Sequence, residues 1–424
     1  MSLLLSKDST DVKTLGDFIS LQRGTTYKSS LLGQPGAFLI GLGSIQREGG
    51  FRDDKLETYG GECPLKISLE PGDLYVSLKD ITHDGHLLGA VARIPDSIER
   101  GRLTQDTVKL VFEKELFPRN YIYWLLRTPQ YRNYCRSRQT GTTNLGLSRE
   151  DFLSLRVPPL TEVTSAVVIV LESIEKKISN LRQQNETLES IAQTLFKHWF
   201  VDFEFPNEDG KPYKSSGGAM VRSDLGDIPL GWRVGKLGEI YKTTSGGTPS
   251  RKESEYYAET GIRWVKSKEL YSTFVLDTEE KITPLGLKKS STKLLPARTV
   301  LIAMYGATVG QVSILGIDST CNQAICAVIE QQHSNYFIYL WLKHTVKEWT
   351  GMAIGSAQQN LSQILISKIN ILISSINLNN KFNAAISPLF RKILINSTQI
   401  QTLIQTRDRL LPKLMSGQLR IPES

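Results

Sequence analysis

The chain has 424 residues, 40% of them hydrophobic and 22% charged, with 51 Lys and Arg against 43 Asp and Glu and a net charge of +8. That length has room for two or three domains with their own cores, so no disulfide framework is needed, and the four cysteines, none in a Cys-x-x-Cys pair, read as reduced thiols. No apolar stretch reaches about 18 residues, which excludes a membrane-spanning helix, while the basic balance suits a phosphate-rich partner.

In chain order, Met1–Ser6 is too short for a signal peptide and is ended by Lys7 and Asp8, so the protein reads as cytoplasmic. Residues 11–158 read as mixed α/β. The β-rich runs Ala37–Leu42, Leu74–Leu78 and Thr107–Phe112 are separated by Gly, Pro and Asp, and Pro118–Arg132 has helical spacing. Pro158-Pro159 closes a first domain, 1–158, because proline lacks an N–H and restricts its predecessor. The period then changes. Leu171, Ile174, Ile178, Leu181, Asn185, Leu188, Ala192, Leu195 and Trp199 hold the a and d positions of a heptad. From Val163 to about Asp202 this predicts a helix of about 40 residues, roughly 60 Å long, within a helical region 159–205.

Residues 206–228 read as a linker, rich in Asn, Gly, Ser and charge. Gly231-Trp232 opens a second mixed unit, 229–374. A second helical region, 375–424, repeats the heptad with Ile386, Leu389, Ile393, Asn396, Ile400, Leu403, Arg407, Leu410 and Leu414. Pro388 lies inside that helix and should kink it or delay its start. Asn185 and Asn396 fall at equivalent positions, where a polar residue in an apolar seam fixes register. Each heptad face could pack on its own globular unit. Alternatively the rods pair antiparallel, with Ile174, Ile178, Leu181, Asn185, Leu188 and Leu195 set against Leu389, Ile393, Asn396, Ile400, Leu403 and Leu410.

The globular units repeat as well. Leu15-Gly16-Asp17-Phe18-Ile19 recurs as Leu237-Gly238-Glu239-Ile240-Tyr241, and Pro71–Val76 as Pro296–Leu301. Asn120–Leu126 is echoed by Asn335–Leu342, and Asn144-Leu145-Gly146-Leu147-Ser148 by Asn360-Leu361-Ser362. The offset drifts from about 222 down to about 214, so the copies are colinear. The predicted fold class is therefore α+β: two mixed α/β domains joined by two long antiparallel helices with an internal pseudo-two-fold repeat. Two similar surfaces held apart suit a two-part target.

Catalytic signatures are missing. There is no Asn-Pro-Pro-Tyr or Asp-Pro-Pro-Tyr methyltransferase loop and no Walker A loop, and Gly41-Leu42-Gly43 lacks the rest of a dinucleotide fingerprint. His83-x-x-His86 is at most half a metal site, so neither a metal nor a catalytic set is assigned. Paired polar loops beside basic residues remain. In the first unit they carry Thr25, Thr26, Tyr27 and Lys28, then Gln46 and Arg47, then Arg138, Gln139, Thr142, Thr143 and Asn144. In the second they carry Ser245, Gly246, Gly247 and Thr248, then Lys266 and Lys268, then Gln358, Gln359 and Asn360. Glycine lets backbone N–H groups approach phosphates, Lys and Arg bind phosphate oxygens, and Gln, Asn and Arg read base edges. The bland alternative is that these are solvated turns.

Trp232-Arg233-Val234-x-x-Leu237-Gly238-Glu239-Ile240, Ser245–Ser250, Gly261-Ile262-x-Trp264-Val265, the close from Gly355 to Ser362, Leu195-Phe196-x-x-Trp199-Phe200-Val201-Asp202-Phe203 and Leu411-Pro412-Lys413-Leu414-Met415-Ser416-Gly417-x-Leu419 form an ordered set. With them the whole chain resembles the specificity subunit of type I restriction-modification systems. The resemblance implies two target-recognition domains, each binding half of a split, asymmetric double-stranded DNA sequence, with paired helices setting the spacing. It implies docking of two modification subunits that use S-adenosylmethionine, and of restriction subunits that use ATP and Mg. The chain itself would carry no cofactor and no catalysis. A methylation-only or fused system, a non-DNA coiled-coil scaffold and a self-contained methyltransferase are the competing readings.

Overall fold

In the computed structural model, which describes residues 13–53, 56–80, 85–142, 144–331, 333–351 and 360–415, the sequence repeat returns as a repeated strand order. The chain divides into two units, and the division falls inside both long helices. One unit runs to Lys176 and resumes at Ile404; the other is Lys177–Leu403.

In the first unit, Ile19–Arg23, Val108–Phe112, Leu74–Val76 and Val91–Arg93 lie side by side in that order, all antiparallel. The central strand Leu74–Val76 is buried throughout, as a strand covered on both faces must be, whereas the edge strand Ile19–Arg23 buries only Ile19. A second sheet orders Thr58–Tyr59, Leu32–Ile40, Gly101–Leu103 and Ser68–Leu69, and its Phe38–Ile40 pairing with Gly101–Leu103 is parallel. The helical run predicted over 118–132 breaks into Arg119–Leu125 and Pro129–Ser137. Pro129 is the cause: it disfavours helical backbone at Thr128, whose hydroxyl instead caps the second helix by accepting from the Tyr131 amide at 3.3 Å.

The second unit repeats the plan. Lys242–Ser245, Ile325–Ile329, Val300–Ala303 and Val312–Leu315 follow the same order, extended by Phe274–Val275. Its second sheet contains Ile262–Val265, whose Trp264 and Val265 pair in parallel with Thr320 and Cys321. Asn335–His344 is the counterpart of Arg119–Leu125 and has eight consecutive buried residues, Asn335 to Leu342. Residues 206–228, predicted as a linker, are folded. Phe205 stacks on Tyr213 at 4.6 Å and on Trp232 at 5.1 Å, and Met220–Ser223 pairs with Gly226–Pro229 as a hairpin that buries Ile228. Polar composition hid these aromatic anchors.

The rods are helices Glu162–Phe200 and Ile376–Met415. Within the second unit, Phe196, Trp199 and Phe200 meet Phe382, while Asn185 meets Asn396, so these segments run antiparallel. The Asn396 side-chain amide donates to Asn185 Oδ1 at 2.9 Å, and Asn185 donates to Ser397 Oγ at 3.2 Å. Ile178, Leu181 and Ile393 are buried, while Leu188, Leu195 and Leu389 pack partly buried against the core of the second unit and Ile400 and Leu403 are half-buried. The same segments also pack on their own unit: Glu189 accepts from Thr273 and Tyr339, and Phe390 stacks on Tyr336 at 4.3 Å. Within the first unit, Ile174 and Leu410 are half-buried, and Arg407 reaches Glu175 at 2.8 Å. There Glu172 accepts from Arg93 and from the Trp124 indole.

Pro388 does not delay the second helix, which begins at Ile376. It removes the donor for the Ala384 carbonyl, a local cost of about 3 kcal/mol, but the fully buried Phe382, Ile386 and Phe390 around it hold the helix by packing.

Candidate nucleic-acid interface

Both units build their leading loop on the same crossing. A Cβ at Gly24 would lie 2.2 Å from the Thr104 carbonyl oxygen, and a Cβ at Gly246 would lie 2.2 Å from that of Asn322. The amide of Gly24 donates to Thr107 and that of Gly246 to Ile325. Glycine is needed because two backbones touch there. The amide of the next residue, Gly247, donates to Cys321 at 2.9 Å. Gly246 and Gly247, read from sequence as offering their amides to phosphates, therefore use those amides inside the fold.

In the first unit the loop rests on a residue the sequence reading missed. Arg102 is 5% exposed, with its guanidinium 4.9 Å from the Tyr59 ring centre. It donates to Thr25 Oγ1 at 2.9 Å, to the Thr26 carbonyl at 3.0 Å and to the Glu62 carbonyl at 2.9 Å. Thr25 and Thr26 are thus held from beneath, while Tyr27 and Lys28 project outward, Tyr27 edge-on to Tyr59 at 6.2 Å. No local pattern around Arg102 announced this; only the strand pairing brings it under the loop.

Gln46 is tied to the Phe51 carbonyl at 2.7 Å, and Arg47 is exposed. Next to them Glu48, at φ +63°, gathers His86, Arg132 and Arg136. Partial burial opposes its charge, but hydrogen bonds from His86 and Arg132 and the nearby guanidinium charges hold its carboxyl below the ordinary range. In the third loop, Thr140 and Gly146 exchange backbone hydrogen bonds at 2.8 Å and present Gln139, Thr142 and Asn144 to solvent; Arg138 lies over Tyr134 at 3.8 Å. Thr143 lies outside the described residues, as does His83.

In the second unit the stack is assembled from other positions. The Arg251 guanidinium lies 4.4 Å from the Tyr257 ring centre and 5.0 Å from that of Trp264, and Trp264 donates to the Gly247 carbonyl at 2.9 Å. Arg251 pairs with Glu280 at 2.5 Å, Lys266 with Glu280 at 2.6 Å and Glu279 at 3.3 Å, and Lys268 with Glu279 at 2.6 Å. Hydrogen bonds, first from Arg251 to Glu280 and from Lys268 to Glu279, hold both carboxyls below their usual range. Lys266 is correspondingly pushed up: its partial burial works the other way, but the two glutamates outweigh it. Lys266 is thus committed inside the unit, while Lys268 keeps an exposed side chain. Ser245 donates through its amide and hydroxyl to Gln363, and Thr248 donates to Gln323. Gln358 and Gln359 lie outside the described residues; Asn360 is exposed just before Leu361.

Among the described residues no three metal-ligating side chains gather, and no helix is long and apolar enough to cross a membrane. Cys135, Cys321 and Cys326 are buried, and burial pushes the last two thiols up to about 12, so they are packing groups rather than nucleophiles.

The model of the type I restriction modification DNA specificity domain matches residues 229–405. The chain is 31% identical over 371 residues to the type I restriction enzyme MjaIX specificity subunit of Methanocaldococcus jannaschii, covering 85% of this chain and 81% of that protein. It is 26% identical over 346 residues to the HindI specificity subunit of Haemophilus influenzae, covering 69% and 74%. In fold it is similar to the crystal structure of the S subunit from M. genitalium, at a TM-score of 0.55 and 16% identity, over 100% of this chain and 99% of that one.

Proposed function

The chain belongs to the specificity subunits of type I restriction-modification systems, and from that premise we propose that it reads a split, asymmetric double-stranded DNA sequence, one half with each globular unit. The observation that carries this reading is the doubled plan: the same strand order and the same crossing glycine, Gly24 and Gly246, place a loop at the same corner of each unit. Domains 1–158 and 229–374 are the readers, and the helical regions 159–205 and 375–424 are an antiparallel spacer that also docks two modification subunits. Modification would use S-adenosylmethionine in those partners, and restriction would use ATP and Mg in further subunits. This chain supplies recognition and no catalysis, in the cytoplasm.

The projecting side chains supply the contacts: Tyr27, Lys28, Arg47, Gln139, Thr142 and Asn144 in the first unit, and Thr248, Lys268 and Asn360 in the second. All are exposed. Arg102, Lys266 and the loop glycines position these groups. Replacing residues 11–157 with the equivalent unit of a relative, then mapping the methylated motif in DNA from a host carrying the chimera and its partners, tests the reading. One half of the motif should change and the other persist. A motif changed in both halves, or in neither, overturns it.

A further inference from the structure

In the first unit a cleft of about 270 Å³, open on one side, lies beside the leading loop and is lined by Arg23, Lys79, Asp106, Thr140, Ser148 and Arg149 among others. Three cations face one carboxylate. Arg23 lines the cleft with its Nε donated to the Gln105 carbonyl at 2.8 Å, which fixes the guanidinium. Lys79 stands 3.5 Å from Asp106, both partly exposed. The Arg149 side chain has no hydrogen-bond or ion-pair partner among the described residues.

The repeat locates the same place in the second unit. Arg23 pairs with Val108 and Ser245 with Cys326, each just before the crossing glycine, so Ser245 stands for Arg23. The Leu147 amide donates to Leu78 and the Leu361 amide to Met304, which sets Tyr305 where Lys79 is. Ser148 and Ser362 both cap a short helix, which sets Gln363 where Arg149 is. One residue before the matched amide acceptors Thr107 and Ile325, Ala324 falls where Asp106 is. Every charged member of the cleft is thus replaced by a neutral one. The Gln363 carboxamide also closes the space by accepting from Ser245 at 3.0 and 3.1 Å and donating to the Thr243 carbonyl at 2.9 Å.

We propose that the Arg23–Lys79–Arg149 cleft is a grip for the DNA phosphate backbone that the first unit has and the second lacks, so that the two units hold their half-sites by different means. The proposal rests on the DNA-reading function above. Three cations against a single carboxylate leave an excess of positive charge beside a loop that meets DNA, and such charge neutralises phosphates and releases counterions, which makes binding depend on salt but not on sequence. The second unit, having spent its equivalent positions on an internal hydrogen bond, must rely more on sequence-dependent contacts.

The test is binding of the full chain to a fluorescein-labelled duplex of random sequence, across a potassium chloride series. For the double variant Lys79→Gln, Arg149→Gln, the slope of log affinity against log salt should shrink by about 0.9 for each phosphate that is no longer neutralised. Asp106→Asn, which frees Lys79, should move the other way, with tighter and more salt-sensitive binding. A gain of this kind cannot come from misfolding, so this variant decides the matter if the double variant does not fold. If the parent chain binds and both variants keep its slope, the grip is refuted and the DNA reading survives. If the parent chain itself binds no duplex at any salt, the grip is refuted, while the reading stands or falls on the methylated motif of the chimera.

Discussion

The two globular units share a backbone and differ in how side chains support it. Both need a glycine at the crossing, and each has a guanidinium over an aromatic ring at its leading loop. In the first unit that guanidinium comes from a strand, is nearly fully buried, and bonds to neutral oxygens of Thr25, Thr26 and Glu62. In the second it comes from the loop itself, is half exposed, and is held by Glu280 within a chain of alternating charges. Geometry that the fold demands is thus repeated, and chemistry that only supports the loop is free to diverge.

The sharpest way to break this comparison is at the shared element. Gly24→Val and Gly246→Val each force a side chain into a backbone carbonyl 2.2 Å from the Cβ position. Overpacking of this kind costs about 1–3 kcal/mol when side chains can yield. Backbone yields less, so each substitution should cost at least about 3 kcal/mol. Hydrogen-exchange mass spectrometry of the full chain should show reduced protection in the substituted unit. If one glycine tolerates valine and the other does not, the crossings are not equivalent.

The next contrast is between the two arginines. Removing Arg102 leaves the Thr25, Thr26 and Glu62 oxygens without their donor and a cavity against Tyr59. Arg102→Ala should cost about 2–4 kcal/mol in thermal or denaturant unfolding. Arg251→Ala removes a partly exposed ion pair and a partly solvated stack, worth under about 1 kcal/mol. Equal losses would mean that the strand-borne and loop-borne guanidinia do the same job after all.

The sequence made the repeat legible because its echoes, Leu-Gly-Asp and Leu-Gly-Glu or the two Asn-Tyr helices, are local and colinear. The rods were legible because heptads are periodic. What stayed hidden needs long-range pairing. Arg102 reaches the loop at 25–26 because Gly101–Leu103 pairs with Phe38–Ile40 and Thr104 bridges to Thr25. Phe390, one residue beyond the heptad position Leu389, is fully buried because the rod also packs on the Tyr336 and Tyr339 face of its own unit, which a two-position seam does not anticipate. The segment at 206–228 read as a linker because its polar residues outnumber Tyr213 and Ile228, the ones that anchor it. Asn144 and Asn360 looked equivalent by their shared Asn, yet the matching caps Ser148 and Ser362 set Asn360 opposite Gly146.

The smallest expected effect separates the two loop supports by acid. Glu279 and Glu280 have carboxyls held below their ordinary 4.5, so the stability they lend is present above that value and is lost as pH falls through their lowered range. Lys266, pushed above its ordinary 10.5, stays charged throughout and then loses its partners. The 245–251 loop of the second unit should therefore open on acidification from 4.5 downward. The 24–28 loop of the first should not, because Arg102 is held by a hydroxyl and carbonyls that do not titrate there. Glu279 is exposed and Glu280 half-buried at the surface, so the effect is local loosening worth well under about 1 kcal/mol rather than unfolding. Peptide-resolved exchange rates on either side of that pH, after correction for the intrinsic rate, check this. Glu280→Gln should reproduce the acid behaviour of the second loop at neutral pH. If both loops loosen together, or neither does, the charged clamp is not what distinguishes the second unit from the first.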